Sequence, residues 1–399
     1  MSQRRLPPAV VLVALGIWSA SPVLLAQESF DQCRERLMGV AVERGISAPV
    51  ATSVLATVEP LERVINADRN QPEFVQAFDQ YLGARVTAGR VATGRSLYAE
   101  HRPLLDELAA SYGVPGQYLV AFWGLESNFG SVLGNIPVFD SLATLACDQR
   151  RSGYFTDELV NALTIVDRGD ASADEMIGSW AGAMGQTQFM PSVYLRHAVD
   201  GDNDGRVNLW SSAADALSSA ASYLASMGWQ SGFRWGREVL LPGEFDYALA
   251  GRDQPRALAD WRRLGLRDVG GSLVDNLDLS AALMVPAGSD GPAFLVYENF
   301  DVIMRWNRSE FFALSIGHLA DRIAGAGDLS RPPPVADRLT RDQLRQIQST
   351  LNARGFDAGE PDGVAGPATS AAIRSYQASR NLVADGHADA GLLAELGID

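Results

Sequence analysis

In the run Tyr118-Leu-Val-Ala-Phe-Trp-Gly-Leu-Glu126-Ser-Asn-Phe-Gly130, a carboxylate stands where helical spacing asks for an apolar residue. The segment reads as a helix in which Leu119, Phe122, Trp123 and Glu126 fall at i, i+3, i+4 and i+7 and share one face. A carboxyl group on an aromatic stripe loses hydration, so its charged form is disfavoured and its pKa is expected to rise. That is how proteins make a general acid near neutral pH. The plainer alternative is a glutamate at a helix end, paired with an arginine or exposed at the rim of the core.

About fifty residues on lies Ser179-Trp-Ala-Gly-Ala-Met-Gly-Gln-Thr-Gln188-Phe-Met-Pro-Ser192, dense in small residues, amides and hydroxyls. Gly182 and Gly185 are expected to let backbone approach a ligand closely. Ser179 and Gln188 can hydrogen-bond sugar hydroxyls and acetamido groups. Next comes Asp200-Gly-Asp202-Asn-Asp204-Gly205-Arg206-Val-Asn208, which places oxygen side chains at loop positions 1, 3 and 5 and Gly at position 6, as a calcium loop begins. Position 12 is Ser211 rather than a bidentate Glu, so Asp215 is the candidate closing ligand and Arg206 offers only its carbonyl. Calcium is therefore a structural candidate, against an Asx-rich turn with solvated charge; no other cofactor is required. The four histidines lie in no metal-ligand spacing, and no Ser-His-Asp arrangement can be assembled.

These segments need a scaffold, and composition supplies one. A chain of 399 residues with 47% hydrophobic content can bury one large domain plus a smaller one. A net charge of -15, with every basic side chain an arginine and none clustered, opposes nonspecific binding to nucleic acid or to an anionic membrane surface. Arg4 and Arg5 before the apolar run Ala9 to Trp18, followed by a small-residue stretch to Ala26, read as a secretory signal over 1–26. No later run reaches the ~18 apolar residues of a transmembrane helix, and no cysteine is placed for a lipid anchor, so a periplasmic protein is expected. Cys33 and Cys147 then share an oxidising compartment, either as one disulfide closing a long loop or as two buried thiols.

Helical patterns dominate from Phe30 to Ile323, which sets a mainly α domain over 27–323. The stretch 324–337, with three consecutive prolines, breaks every periodicity and reads as a semi-rigid spacer. In 338–399, Thr340 and Gln343 form a capping-box pattern ahead of Leu344, Ile347 and Leu351, and Pro367 opens a second helix carrying Ile373 and Tyr376. A third short helix holds Leu392, Leu393 and Leu396. The spacing of Leu344-x-x-Ile347-Gln348-x-x-Leu351, Gly355-Phe356, Asp362-Gly363-x-x-Gly366-Pro367-x-Thr369, Tyr376-Gln377 and Asp385-Gly386 resembles the bacterial peptidoglycan-binding domain. The bland alternative is a generic three-helix packing domain.

In the larger part, Leu125-Glu126-Ser127-Asn128-Phe129-Gly130, Leu142-Ala143-Thr144-Leu145-Ala146, the Ser179 to Ser192 segment, Asp215-Ala216-Leu217, Tyr223-Leu224 and Gly228-Trp229 follow in order and resemble the lytic murein transglycosylase B family. The resemblance implies a lysozyme-like α-rich domain with a glycan groove that cleaves between N-acetylmuramic acid and N-acetylglucosamine, leaving a 1,6-anhydro end. By position it implies Glu126 as catalytic acid and Ser179, Gln188 and Tyr223 as groove residues. Phe300 to Ser309 is similar to a family segment that carries Tyr where this chain has Trp306; beside it stands Asn307. The implied partner is the peptidoglycan glycan strand.

Ordinary glycoside hydrolysis needs two carboxylates. No acidic residue flanks Glu126 in its motif, so one carboxyl is expected to serve as acid and then as base. Asp140 or Asp148 reaching the cleft from elsewhere in the fold would make a hydrolytic muramidase instead, and a catalytically silent wall-binding scaffold is the reading outside enzymology.

Overall fold

The computed structural model describes residues 28–69, 76–336 and 339–398; the secretory signal read over 1–26 lies outside them. Gly116–Ser127 is apolar on almost every side, and a helix of that kind is stable only when other elements enclose it. Here Ala88–Glu100, Arg102–Tyr112, Ala213–Ser226 and Glu310–Ile323 pack around it, burying Leu119, Phe122 and Trp123. Phe300, Ile316 and Leu319 belong to the same core.

A second helical lobe is built from Phe30–Glu43, Ala48–Leu55, Val138–Cys147, Ser152–Asp167 and Pro191–His197 around Leu37, Leu142, Leu163 and Phe189. Ile136–Pro137 pairs antiparallel with Ile177–Gly178 at its edge. Cys33 and Cys147 are bonded, so the disulfide alternative holds, with Cα atoms 5.9 Å apart across 114 residues of sequence. Nearby, Asp68 is buried under Arg150 and Arg151. Burial opposes its charge, yet hydrogen bonds and attraction from the two guanidinium groups win and hold its pKa below the usual carboxylate value.

Helices dominate 27–323 as expected, and a sheet that the periodicity did not announce lies among them. Gly236–Leu240, Gly251–Ala257, Arg267–Asp268, Ser280–Met284 and Ala293–Val296 form a five-stranded antiparallel sheet. Its core holds Val239, Trp261, Leu283 and Leu295. Two features hid it: the strands are two to seven residues long, and Ala293–Val296 is buried throughout and so shows no alternation.

Arg341–Ala353, Pro367–Ser379 and Ala390–Leu396 form the C-terminal module around Ile347, Leu351, Ile373 and Tyr376. The Thr340/Gln343 capping box is present. Two buried glutamines hold its turns in the same way: Gln348 Oε1 accepts the Gly363 N–H and Gln377 Oε1 the Gly386 N–H, both at 2.8 Å. At Gly363 a Cβ would meet Arg341, which is why that turn takes glycine.

The module is docked rather than loosely tethered. Asp385 Oδ2 accepts the Ser289 N–H of the sheet lobe at 2.8 Å, and a Cβ on Gly288 would strike Asp385 and His387. The spacer is also pinned: Glu238 accepts hydrogen bonds from Ser330 and Arg331, and Gln80 Nε2 donates to the Ala336 carbonyl.

Candidate active site

Glu126 sits in the last turn of Gly116–Ser127, and the chain reverses directly after it. Asn128, Phe129 and Gly130 have φ of 49°, 59° and 79°, three consecutive residues in the left-handed region. For a bulky residue such as Phe129 that conformation is costly and persists only where the surroundings impose it. They do so here. Phe129 N–H donates to the Trp123 carbonyl, Gly130 N–H to Ser127 Oγ, and the Phe129 ring rests edge-on against Trp123. Gly130 must be glycine, since a Cβ would lie 2.4 Å from Gln186 Oε1. The reversal leaves Glu126 half-exposed at the open end of an otherwise buried helix.

Trp306, the last residue of Glu298–Trp306, donates its indole Nε1–H to Glu126 Oε1 at 2.8 Å. Its ring is fixed among Phe122, Tyr223 and Phe189, with centroids 4.4, 5.2 and 5.4 Å away. Tyr223, on Ala213–Ser226, also stacks on His197 at 4.9 Å. Burial pushes the Tyr223 phenol up; burial, and then Arg196, push His197 down. Asn307 directly follows Trp306 as the cap of that helix.

The loop over 179–188, bonded to the segment after Glu126, is braced by the residues read in the sequence as sugar contacts. Ser179 Oγ accepts the N–H groups of Ala181 and Ala183. Gln188, itself at φ 49°, donates its side-chain amide to the carbonyls of Gly185 and Leu133, joining this loop to the segment after Glu126. Gly182 and Gly185 do not make room for a ligand: added Cβ atoms would meet Leu142 and Leu209, so they serve close packing within the protein. Sequence reasoning missed Gln186, whose buried Oε1 accepts Trp123 Nε1–H at 2.8 Å and whose backbone N–H donates to Leu209. No local signal set it apart, since Gln186 stands beside the equally polar Thr187 and Gln188.

The two distant carboxylates are engaged elsewhere. Asp140 accepts the Glu59 N–H, and burial followed by repulsion from Glu59 raises its pKa. Asp148 pairs with Arg69 at 3.2 Å and accepts the Arg150 N–H.

Asp200, Asp202 and Asp204 converge, with one carboxylate oxygen of each within 4.8 Å of the others. Asp215 does not join that group and has another job: its two oxygens accept the Gly201 and Asn208 N–H groups at 2.7 and 2.6 Å, tying both ends of the loop to the start of Ala213–Ser226. Arg206 lies in the turn with its N–H on Asp204 Oδ1.

A buried helix ending in a half-exposed glutamate that an aromatic wall holds, beside an amide-rich loop, is the arrangement of a glycan-cleaving enzyme with a lysozyme-like fold. Comparison with known proteins specifies the class. Residues 29–321 match the transglycosylase SLT domain, and residues 340–396 a peptidoglycan binding domain. The membrane-bound lytic murein transglycosylase B of Escherichia coli is 30% identical over 249 residues, 62% of this chain and 68% of that protein. The crystal structure of SltB3 from Pseudomonas aeruginosa in complex with NAG-anhNAM-pentapeptide superimposes with a TM-score of 0.89 at 42% identity, over 93% of this chain and all of that one. The Escherichia coli lytic transglycosylase SLT35 in complex with calcium gives 0.62 at 28% identity, over 73% of this chain and 92% of that one. The chain belongs to the transglycosylase SLT domain family and is a peptidoglycan lytic transglycosylase.

Proposed function

We propose that this groove cleaves the β-1,4 bond between N-acetylmuramic acid and N-acetylglucosamine with Glu126 as the single acid and base. Protonated Glu126 gives its proton to the glycosidic oxygen as the bond from that oxygen to C1 breaks. The C6 hydroxyl oxygen of the same muramic acid then bonds to C1, and its proton returns to the Glu126 carboxylate. No water is consumed, and the product carries a 1,6-anhydro end. The observation that carries this reading is the placement of Glu126, presented by a buried helix and oriented by Trp306, while Asp140 and Asp148 are bonded elsewhere. Two SltB3 structures hold NAG-anhNAM-pentapeptide and NAG-NAM-pentapeptide, which supports the same chemistry here. Ser179, Gln188, Tyr223, Trp306 and Asn307 form the sugar-contacting wall. The docked C-terminal module holds the wall polymer near this groove in a fixed orientation.

Digestion of purified sacculi should yield muropeptides with anhydro ends by mass spectrometry. Reducing ends alone would make the enzyme a hydrolytic muramidase. The leader read over 1–26 and the Cys33–Cys147 bond support action in the periplasm.

Calcium in the Asp200 loop is part of the same proposal. Among the described residues, none of the ion pairs involves Asp200, Asp202 or Asp204, and three converging carboxylates without a cation suit a hard ion with oxygen ligands. An ion there would brace the loop that leads into the Tyr223 helix. Calcium at about a hundred times its Kd should raise stability by about 2.7 kcal/mol and move the melting temperature up after chelator treatment. An unmoved melting curve would leave the loop as an Asx-rich turn.

A further inference from the structure

We propose that Trp306 decides which oxygen of Glu126 carries the transferable proton. This rests on Glu126 being the acid, and it concerns a residue in which the chain departs from the tyrosine usual in the family segment it resembles. An indole N–H donates and cannot accept, whereas a phenol hydroxyl does both. With Nε1 2.8 Å from Oε1, the bond is best made when Oε1 is a carbonyl or carboxylate oxygen, so the acid proton resides on Oε2. The contacts with Phe122, Phe189 and Tyr223 fix the direction of the N–H, so this bias does not depend on a freely turning group. Trp306 is a positioning residue in this role: it turns the proton-bearing oxygen of Glu126 away from the aromatic wall.

The same bond makes a second, separable prediction. A donor on Oε1 stabilises the carboxylate more than the acid, so its removal raises the pKa of Glu126. Activity that requires protonated Glu126 is lost as pH rises through that pKa. Without the donor, the alkaline limb of the pH profile therefore moves to higher pH. The neighbouring elements bring Arg196 and His197 from Pro191–His197, Tyr223 from Ala213–Ser226, Arg305 from Trp306's own helix, and Arg90 beside Asn128. Burial holds His197 down, and a loosened wall would let it rise in the same direction, so the variant that keeps the bicyclic ring in place decides.

The test uses the full-length enzyme with Trp306→Phe, and a second variant with the sulfur isostere benzothienylalanine at 306, which keeps the bicyclic ring and lacks the N–H. Both are expected to lower the plateau rate on sacculi about tenfold and to move the alkaline limb up by about one pH unit. Trp306→Tyr should return the limb toward its original position, because the phenol can donate. The isostere reads the limb even where Phe loosens the aromatic wall. A lowered rate with an unmoved limb in the isostere overturns the proposal and leaves Trp306 as a wall residue; unchanged rate and limb overturn it as well. Glu126→Gln is measured alongside: wild-type turnover there places the fault in the assignment of Glu126, not in Trp306.

Discussion

Glu126→Gln is expected to lower turnover on sacculi by about a thousandfold or more, since one proton-transfer group typically contributes about 10²–10⁴ and this one serves two steps. The amide keeps the size and planarity of the carboxyl and can still accept the Trp306 indole N–H through its oxygen. It cannot give up a proton to the glycosidic oxygen. Glu126 is half-exposed and the helix beneath it is held by Leu119, Phe122 and Trp123, so the melting temperature should stay within about 2 °C. Sedimentation with sacculi should show binding retained, because the aromatic wall and the docked module are untouched. Turnover above a tenth of wild type, with the fold intact, would remove Glu126 from the mechanism.

The parts of this site that could be read in the sequence are those encoded within one element. An apolar helix broken by one carboxylate is visible in thirteen residues, and Gly116–Ser127 is such a helix. The Thr340/Gln343 capping box is similarly local. The bond from Trp306 to Glu126 spans 180 residues, so no periodicity could announce it. What the sequence did offer was an anomaly: a tryptophan where the resembling segment has tyrosine, and hence a missing hydroxyl. The structure answers with an indole donor on the glutamate itself.

Gly182 and Gly185 teach the converse. Residue type alone cannot distinguish a hydroxyl, amide or glycine that meets a ligand from one that builds the loop, because the hydrogen-bonding capacity and conformational freedom used are identical. Both glycines pack against leucines of the protein's own core, whereas Ser179 and Gln188 brace the loop and stay candidates for the sugar-contacting wall. Asp215 follows the same pattern, a carboxylate with ligand spacing that ties down a loop. The sheet over 236–296 stayed hidden for a different reason. Its strands are buried throughout, as Ala293–Val296, very short, as Arg267–Asp268, or nearly without apolar side chains, as Gly251–Ala257, and their pairing is long-range.

The Cys33–Cys147 bond yields the second large expected effect, a loss of about 3 kcal/mol and about 5 °C in melting temperature for the Cys33→Ser, Cys147→Ser double variant. Closing a loop of 114 residues restricts the unfolded chain by about 4 to 5 kcal/mol on chain-entropy grounds, and measured losses run about 2–5. The bond joins Phe30–Glu43 to the end of Val138–Cys147, so both its anchors belong to the second helical lobe. Leu119 and Trp123, beneath Glu126, belong to the other core. Loss of the bridge should therefore act first on the lobe that carries Phe189 and the Ser179 to Gln188 loop. Activity at moderate temperature is expected to persist, then to fail at a lower temperature than in the wild type. Calorimetry of the double variant beside the dithiothreitol-reduced wild type checks this, and the two should agree. A double variant melting within about 1 °C of wild type would mean that the bridge closes no loop the folded lobe depends on, leaving Leu37, Leu142 and Leu163 to hold Phe30–Glu43 in place by packing alone.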